Sequence, residues 1–240
     1  CEVAVGAGAE SMSRGAYLVT SNRWGARMGD VKMLDYVLGA LHDPRQHIHM
    51  GITAENVATR YDITRAQQDA YAAQSQERAA KAIAAGLFKE QIVPVEIKTR
   101  KGTVLFDTDE GVKADTNVET LAKMKPAFKK EDGTVTAGNA SGLNDGAAAV
   151  LVMTEAEAAR RGLTPLARIA SYATAGVDPA IMGTGPIPAT RAVLKKAGWK
   201  IEDLDLIEAN EAFAAQACAV NKDLGWDTSK VNVNGGAIAL

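Results

Sequence analysis

Cysteine is nearly missing from this chain: Cys1 and Cys218 are the two in 240 residues. They cannot build a disulfide framework, so a reducing, cytoplasmic setting is expected. Net charge is almost absent too, at −2. No global positive field exists to hold a nucleic acid or an anionic membrane. There is no run of about eighteen apolar residues, so no membrane-spanning helix is expected. The opening residues lack a charged stretch followed by an apolar one, so no secretory signal is visible. An initiating methionine is missing as well. The chain starts in Glu2-Val3-Ala4-Val5-Gly6 and stops in Gly235-Gly236-Ala237-Ile238-Ala239-Leu240. Domain ends are usually polar and frayed, so both ends are expected to be cuts through the core of a longer protein.

What is present is the composition of a globular protein, with 47% apolar and 23% charged residues. Residues 2–9 read as a buried strand and residues 11–50 as loops with short helical pieces. Thr53 is placed to cap a turn from Glu55 to Arg60. Thr64-x-x-Gln67 is a capping box opening a helix that runs to Ala85 and stops at Gly86. Residues 91–108 alternate as strands around Lys101-Gly102, and residues 111–140 are loop-rich. The apolar run Gly146–Met153 fits a strand buried on both faces. Thr154-x-x-Glu157 reads as a second capping box, before a helix ending at Gly162.

Beyond a boundary near Gly162–Pro165 the rhythm turns regular. Leu166–Ala175, Leu204–Glu208 and Val231–Val233 read as strands. Pro188–Ala197 and Glu211–Leu224 read as helices, ended by Gly198 and Gly225. That alternation is the pattern of a layered α/β domain.

Several residues stand where chemistry could be done. Asn210 lies where a strand meets a helix start, near backbone amides and a positive dipole end; a plain N-cap is the competing use. Glu211 would complement the dipole in the first turn. His42, His47 and His49 fall close together, but the spacing is irregular and no cysteine is near, so no metal site is expected. Ser141 sits in the small-residue run Ala140-Ser141-Gly142, which lets a ligand approach the backbone. Neither cysteine fits a nucleophile, which needs a helix N-terminus or a cationic neighbour. Cys218, among alanines in mid-helix, reads as a small hydrophobe.

Five segments together carry a resemblance. They are Gly8-Ala9-Glu10-Ser11-Met12-Ser13, His49-Met50-Gly51-Ile52-Thr53-Ala54-Glu55-Asn56, residues 136–148 (Thr136-Ala137-Gly138-Asn139-Ala140-Ser141-Gly142 and onward), Asn210-Glu211-Ala212-Phe213-Ala214, and Val231-Asn232-Val233-Asn234-Gly235-Gly236. In order and spacing they resemble the thiolase family over essentially the whole chain. The resemblance implies an α/β thiolase fold of two similar layered α-β-α halves with a large inserted loop domain, incomplete at both ends. Residues 1–11 and 144–162 would belong to the first half, 12–143 to the inserted domain and 164–240 to the second half.

The implied activity is acetyl-CoA C-acetyltransfer: two acetyl-CoA condense reversibly to acetoacetyl-CoA and CoA through a cysteine acyl-enzyme. Coenzyme A thioesters are then substrates, and no cofactor is bound permanently. By the same resemblance, Asn210 holds a water that forms part of an oxyanion site, and the Glu211 beside it adjoins that site. His49 and Met50 face the thioester and pantetheine, Ser141 and Ala137 contact the pantetheine, Met182 and Phe213 line the acyl pocket, and Ala212 is counted among the CoA-binding residues. Leu41, Lys113 and Thr120 match positions along the CoA groove. The family often carries arginine and serine at the last two, and lysine lacks arginine's planar fork. A homotetramer is implied, with the stretch 14–30 as a place for its contacts. Two alternatives stay open: a degradative 3-ketoacyl-CoA thiolase, and a non-catalytic CoA-binding or assembly module.

The cysteine and histidine segments that do the family's sulfur chemistry have no match among these residues. The purified 240-residue chain is therefore expected to give no CoA-dependent cleavage of acetoacetyl-CoA. Following loss of the acetoacetyl-CoA absorbance checks this, and measurable turnover would overturn it.

Overall fold

Apolar residues at helical spacing and short β-branched runs produce a mixed chain, seen in a computed structural model describing residues 1–240. In chain order the elements are β1 (Val3–Ser11), β2 (Tyr17–Leu18), β3 (Leu34–Asp35), α1 (Tyr36–Ala40), α2 (Met50–Arg60), α3 (Arg65–Ala84), β4 (Val95–Thr99), β5 (Gly102–Phe106), α4 (Val118–Ala122), β6 (Asp145–Met153), α5 (Glu155–Arg160), α6 (Pro186–Ala197) and α7 (Ala214–Leu224). Contacts divide them into two units, residues 1–49 with 143–172, and residues 50–142 with 173–240. No helix is long and apolar enough to cross a membrane.

In the first unit β1 pairs antiparallel with β6 along its whole length, from Val3 opposite Met153 to Ser11 opposite Asp145. The expected burial of Gly146–Met153 on both faces does not occur, since Val150 is 62% and Leu151 58% exposed. A two-stranded ribbon has no second layer of its own to cover either face. Its far end is tied by Asp145, whose carboxylate accepts from the Ser13 amide at 2.9 Å, the Ser13 hydroxyl at 2.5 Å and the Ser11 hydroxyl at 3.0 Å. These bonds, the Ser13 side chain's first, hold the Asp145 carboxyl below its usual range. The Thr154 hydroxyl accepts from the Glu157 amide and caps α5. The reciprocal half of the expected capping box is missing, because Glu157 turns to Arg160 and Arg161 instead.

The second unit is built around α7. Ala214, Ala215, Ala217, Ala219, Val220 and Leu224 are all buried, and α2, α3 and α6 pack on this one helix. Alanines let neighbouring axes approach closely. Ala215 and Ala219 meet Ala54, Val57 and Ala58 of α2. Val220 and Leu224 meet Ile187 of α6, with Trp226 and Val231, while Ala214 meets Ala72 of α3, Leu121 and Ile238.

The Thr64/Gln67 box opens α3 with both bonds formed, and the helix closes at Ala85 before Gly86 at φ 72°. Gly198 and Gly225 end α6 and α7 in the left-handed region, as the sequence suggests. Thr53 is no cap: α2 already starts at Met50, and the Thr53 hydroxyl donates to the Met50 carbonyl at 2.6 Å. The expected strand Leu166–Ala175 forms no ladder, and Leu166 and Ile169 are exposed. Leu204–Glu208 and Val231–Val233 reduce to one parallel bridge, Ile207 with Val231. It is held by the Asn232 amide donating to the Ile207 carbonyl at 2.8 Å.

Glu55, a buried residue of α2, replaces a missing strand partner for residues 134–135. Its carboxylate accepts from the Thr134 and Val135 amides at 2.8 and 2.9 Å and from the Thr134 hydroxyl at 2.8 Å. Truncation would leave those donors buried and unpaired. Glu55→Ala should cost about 3 kcal/mol of stability, read as a lower denaturant midpoint. A midpoint equal to the parent's would refute the assignment.

Candidate active site

Two small-residue segments meet at the start of α7. Ala140 and Phe213 form an antiparallel bridge. The Ser141 amide donates to the Ala212 carbonyl at 3.1 Å, and the Ala214 amide donates to the Asn139 carbonyl at 2.8 Å. The first backbone donor of α7, which no helical carbonyl could take, is thus satisfied by the other segment. The buried Asn139 also fixes its own loop. Its side-chain oxygen accepts from the Thr136 amide at 2.8 Å, and its amide group donates to Asp69 at 2.9 Å and to the Thr134 carbonyl at 3.1 Å. Asp69 is gripped in turn by Arg65 at 2.7 Å.

Residues 207–211 run straight into this junction. Side chains alternate along them: Ile207, Ala209 and Glu211 turn inward, and Glu208 and Asn210 outward. The N-cap of α7 is Phe213. This corrects two sequence expectations, since Asn210 is not a helix cap and Glu211 lies ahead of the first turn. The Asn210 side chain is exposed and makes no hydrogen bond within the protein. Its amide is open to a ligand or a water. Glu208, on the same outward face, has its carboxyl raised by partial desolvation first and then by the nearby Glu211.

Met50 opens α2, and the next residue, Gly51, lies so close to the Phe128 ring that a Cβ there would overlap it. Phe128 meets Phe213 edge to face at 6.2 Å between centroids. Met182 sits exposed in the turn Pro179–Thr184, which packs on α2 and α7. Ala137 is exposed beside Gly138, whose backbone abuts Leu121 and Met124. Thr120 is exposed, but its hydroxyl already closes a capping box by accepting from the Asn117 amide at 3.3 Å, and it donates to the Asn117 carbonyl at 2.8 Å. The Lys113 side chain is exposed, and its backbone amide donates to Gln76 of α3 at 2.8 Å.

The structure therefore brings together Ser141, Ala212 and Phe213 directly, with Asn210 two residues away on one extended segment. Met50 opens α2, and Met182 lies in the turn that packs on that helix. Leu41 and His49 fall in the other unit. There the His49 and His42 rings stack edge to face at 4.9 Å, with His42 Nδ1 2.6 Å from the Leu38 carbonyl. Burial, and then His42, lower the pKa of His49 and favour the neutral imidazole. No group of three or more His, Cys, Asp or Glu side chains is arranged to hold a metal ion.

Sequence reasoning missed the polar scaffold under the site. Glu55, Asp69, Tyr71, Ser75 and Asn232 all serve it. A signal existed in α3, where Gln68, Asp69, Ser75 and Gln76 share the inward face with Ala72 and Ala79. Polar residues on a buried stripe imply partners.

Family models place the chain. The thiolase N-terminal domain matches residues 1–156 and the thiolase C-terminal domain residues 163–240. The chain belongs to the thiolase family. It is 64% identical to the beta-ketothiolase BktB of Cupriavidus necator over 239 residues, all of this chain and 61% of that protein. It is 62% identical to an acetyl-CoA acetyltransferase of Paracoccus denitrificans, over 99% of this chain and 61% of that thiolase. Among solved structures, the acetyl-CoA acetyltransferase of Bacillus anthracis matches at a TM-score of 0.95 and 52% identity, over 100% of this chain and 60% of its own. Human mitochondrial 3-ketoacyl-CoA thiolase in complex with CoA matches at 0.94 and 47%, over 100% and 59%. The chain thus spans about three fifths of the length of the thiolases it matches.

Cys218 lies on the flank of α7 against α3, 3.9 Å from the Gln67 carbonyl. Burial, followed by the neighbouring Glu211, pushes its thiol up to about 12. At pH 8 the thiol therefore stays protonated, and the thiol form is a poor nucleophile. Iodoacetamide at that pH is expected to alkylate exposed Cys1 and spare Cys218 until the chain is unfolded. Peptide mass mapping reads the result, and fast native labelling of Cys218 would contradict this placement.

Proposed function

We propose that the protein carrying this chain is an acetyl-CoA C-acetyltransferase, condensing two acetyl-CoA reversibly to acetoacetyl-CoA and CoA. This chain supplies the side of the site that receives CoA and polarises the thioester. The observation that carries the reading is the Asn210 amide, exposed and unbonded beside the junction of residues 139–141 with 212–214. A side-chain donor held ready in this way suits an oxygen that gains charge in the transition state. The relatives named as acetyl-CoA acetyltransferases and as a beta-ketothiolase support the same chemistry.

The remaining roles follow as parts of this proposal. Ser141, Ala137 and Ala212 lie along the bound CoA, and Met182 and Phe213 border the acyl group. His49 and Met50 face the thioester, and Leu41, Lys113 and Thr120 lie along the CoA groove. Thr120 has its one hydroxyl proton committed to Asn117, so it would serve there as an acceptor. The pairing of β1 with β6 supports assigning 1–11 and 144–162 to one half, and the break between the two family matches supports a second half starting at 164. The stretch 14–30 exposes Trp24 at 86% and Met28 at 99%, which supports its use in a homotetramer. Sedimentation of the full-length protein as a monomer would sink that part.

In the full-length protein, Asn210→Ala should lower kcat for acetoacetyl-CoA thiolysis by about 100-fold, with KM changed less than about threefold. Turnover should also fall as the acyl chain lengthens. Unchanged kcat would remove Asn210 from the chemistry, and a preference for long acyl chains would point to a degradative 3-ketoacyl-CoA thiolase.

A further inference from the structure

The inward neighbour of Asn210 is bonded through both of its carboxylate oxygens. Glu211 is 1% exposed, and its carboxylate accepts from four donors. The Tyr71 hydroxyl and Asn232 Nδ2 donate to Oε1 at 3.0 and 2.8 Å. The Ser75 hydroxyl and the Ile238 amide donate to Oε2 at 2.7 and 3.2 Å. Two donors come from α3 and two from the loop 232–238. The Ser75 oxygen accepts in turn from the Gly236 amide at 3.0 Å, tying loop to helix a second time. Gly236 lies so close that a Cβ there would overlap the Glu211 carboxylate, so bare backbone is laid against it.

Asn232 completes the arrangement. Its side-chain oxygen accepts from the Ala209 amide at 2.8 Å, and its Nδ2 donates to the Ala209 carbonyl at 2.7 Å as well as to Glu211. One asparagine therefore grips the residue before Asn210 by its backbone and the residue after it by its side chain. Asn232 holds φ 45°, a left-handed conformation that asparagine tolerates better than most residues. Asn210 is thus bracketed on both sides while its own amide stays unbonded. A donor does most for a transition state when its position is fixed beforehand.

We propose that Glu211 is a positioning residue for Asn210: its buried carboxylate, through Asn232, Tyr71 and Ser75, locks the backbone that aims the Asn210 amide. This rests on the reading of Asn210 given above. Glu211 does not touch the substrate. Its contribution passes through Asn210, so the two should act as one unit rather than as independent sites.

The test is thiolysis of acetoacetyl-CoA by the full-length protein, with kcat, KM and thermal midpoint recorded for Asn210→Ala, Glu211→Gln and the double variant. Glutamine keeps the shape but turns donors toward donors. Glu211→Gln is expected to lower kcat about 10- to 100-fold with KM within about threefold. The double variant should fall no more than about threefold below Asn210→Ala alone. Tyr71→Phe and Ser75→Ala, each removing one donor, should lower kcat by smaller factors in the same KM-neutral way. They decide the matter on these criteria if Glu211→Gln does not fold. Losses that multiply in the double variant overturn the proposal, as does a lowered midpoint with kcat unchanged, or a loss expressed in KM. Those outcomes leave the reading of Asn210 intact, whereas a fully active Asn210→Ala overturns both.

Discussion

Burial of α7 is the constraint on which the second unit depends. It is a short helix without charged residues at its start, and its alanine-rich surface is covered by α2, α3 and α6. The first amide of a helix enclosed in this way has no carbonyl of its own helix to bond. Asn139 meets that of Ala214 through its main-chain carbonyl, which lays the segment 136–141 across the helix start. The two sets of small residues are neighbours for that reason.

The same requirement explains why three acidic side chains of the second unit lie inside. Glu55, Asp69 and Glu211 are each buried, and each accepts from donors on neighbouring segments. Residues 134–135 and Ile238 belong to no strand, so carboxylates do for their amides what a ladder would do. Breaking one of these contacts strands a donor in a dry place, which costs more than the net worth of an ordinary hydrogen bond.

Much of this was readable from the residues. The Thr64-x-x-Gln67 box, the glycines at 86, 198 and 225, and the hairpin at Gly102 follow from local chemistry, and the structure has them where local chemistry puts them. The motif segments around Ser141 and Asn210 were legible through their resemblance to the thiolase family. Strands were less legible. Leu166–Ala175 and Gly146–Met153 have the apolar content of buried strands, but burial is decided by what lies opposite, and that is not local. Thr154-x-x-Glu157 looked like a capping box, yet two arginines one turn away compete for the glutamate. The role of Glu211 was hidden for a related reason. Its four partners come from positions 71, 75, 232 and 238, which no local pattern links.

The handshake between Asn139–Ser141 and Ala212–Ala214 has a practical consequence for anyone exchanging parts among related proteins. Each strip completes the other's backbone bonding, so neither is a portable module. A transplant of residues 136–141 alone would import a carbonyl whose geometry was set by a different helix start. A transplant of residues 210–213 alone would import the reverse mismatch. Chimeras that cross over between position 142 and position 209 should therefore be poorer than those that take both strips from one parent. In recombination terms, two pieces of chain some seventy positions apart behave as a single cassette.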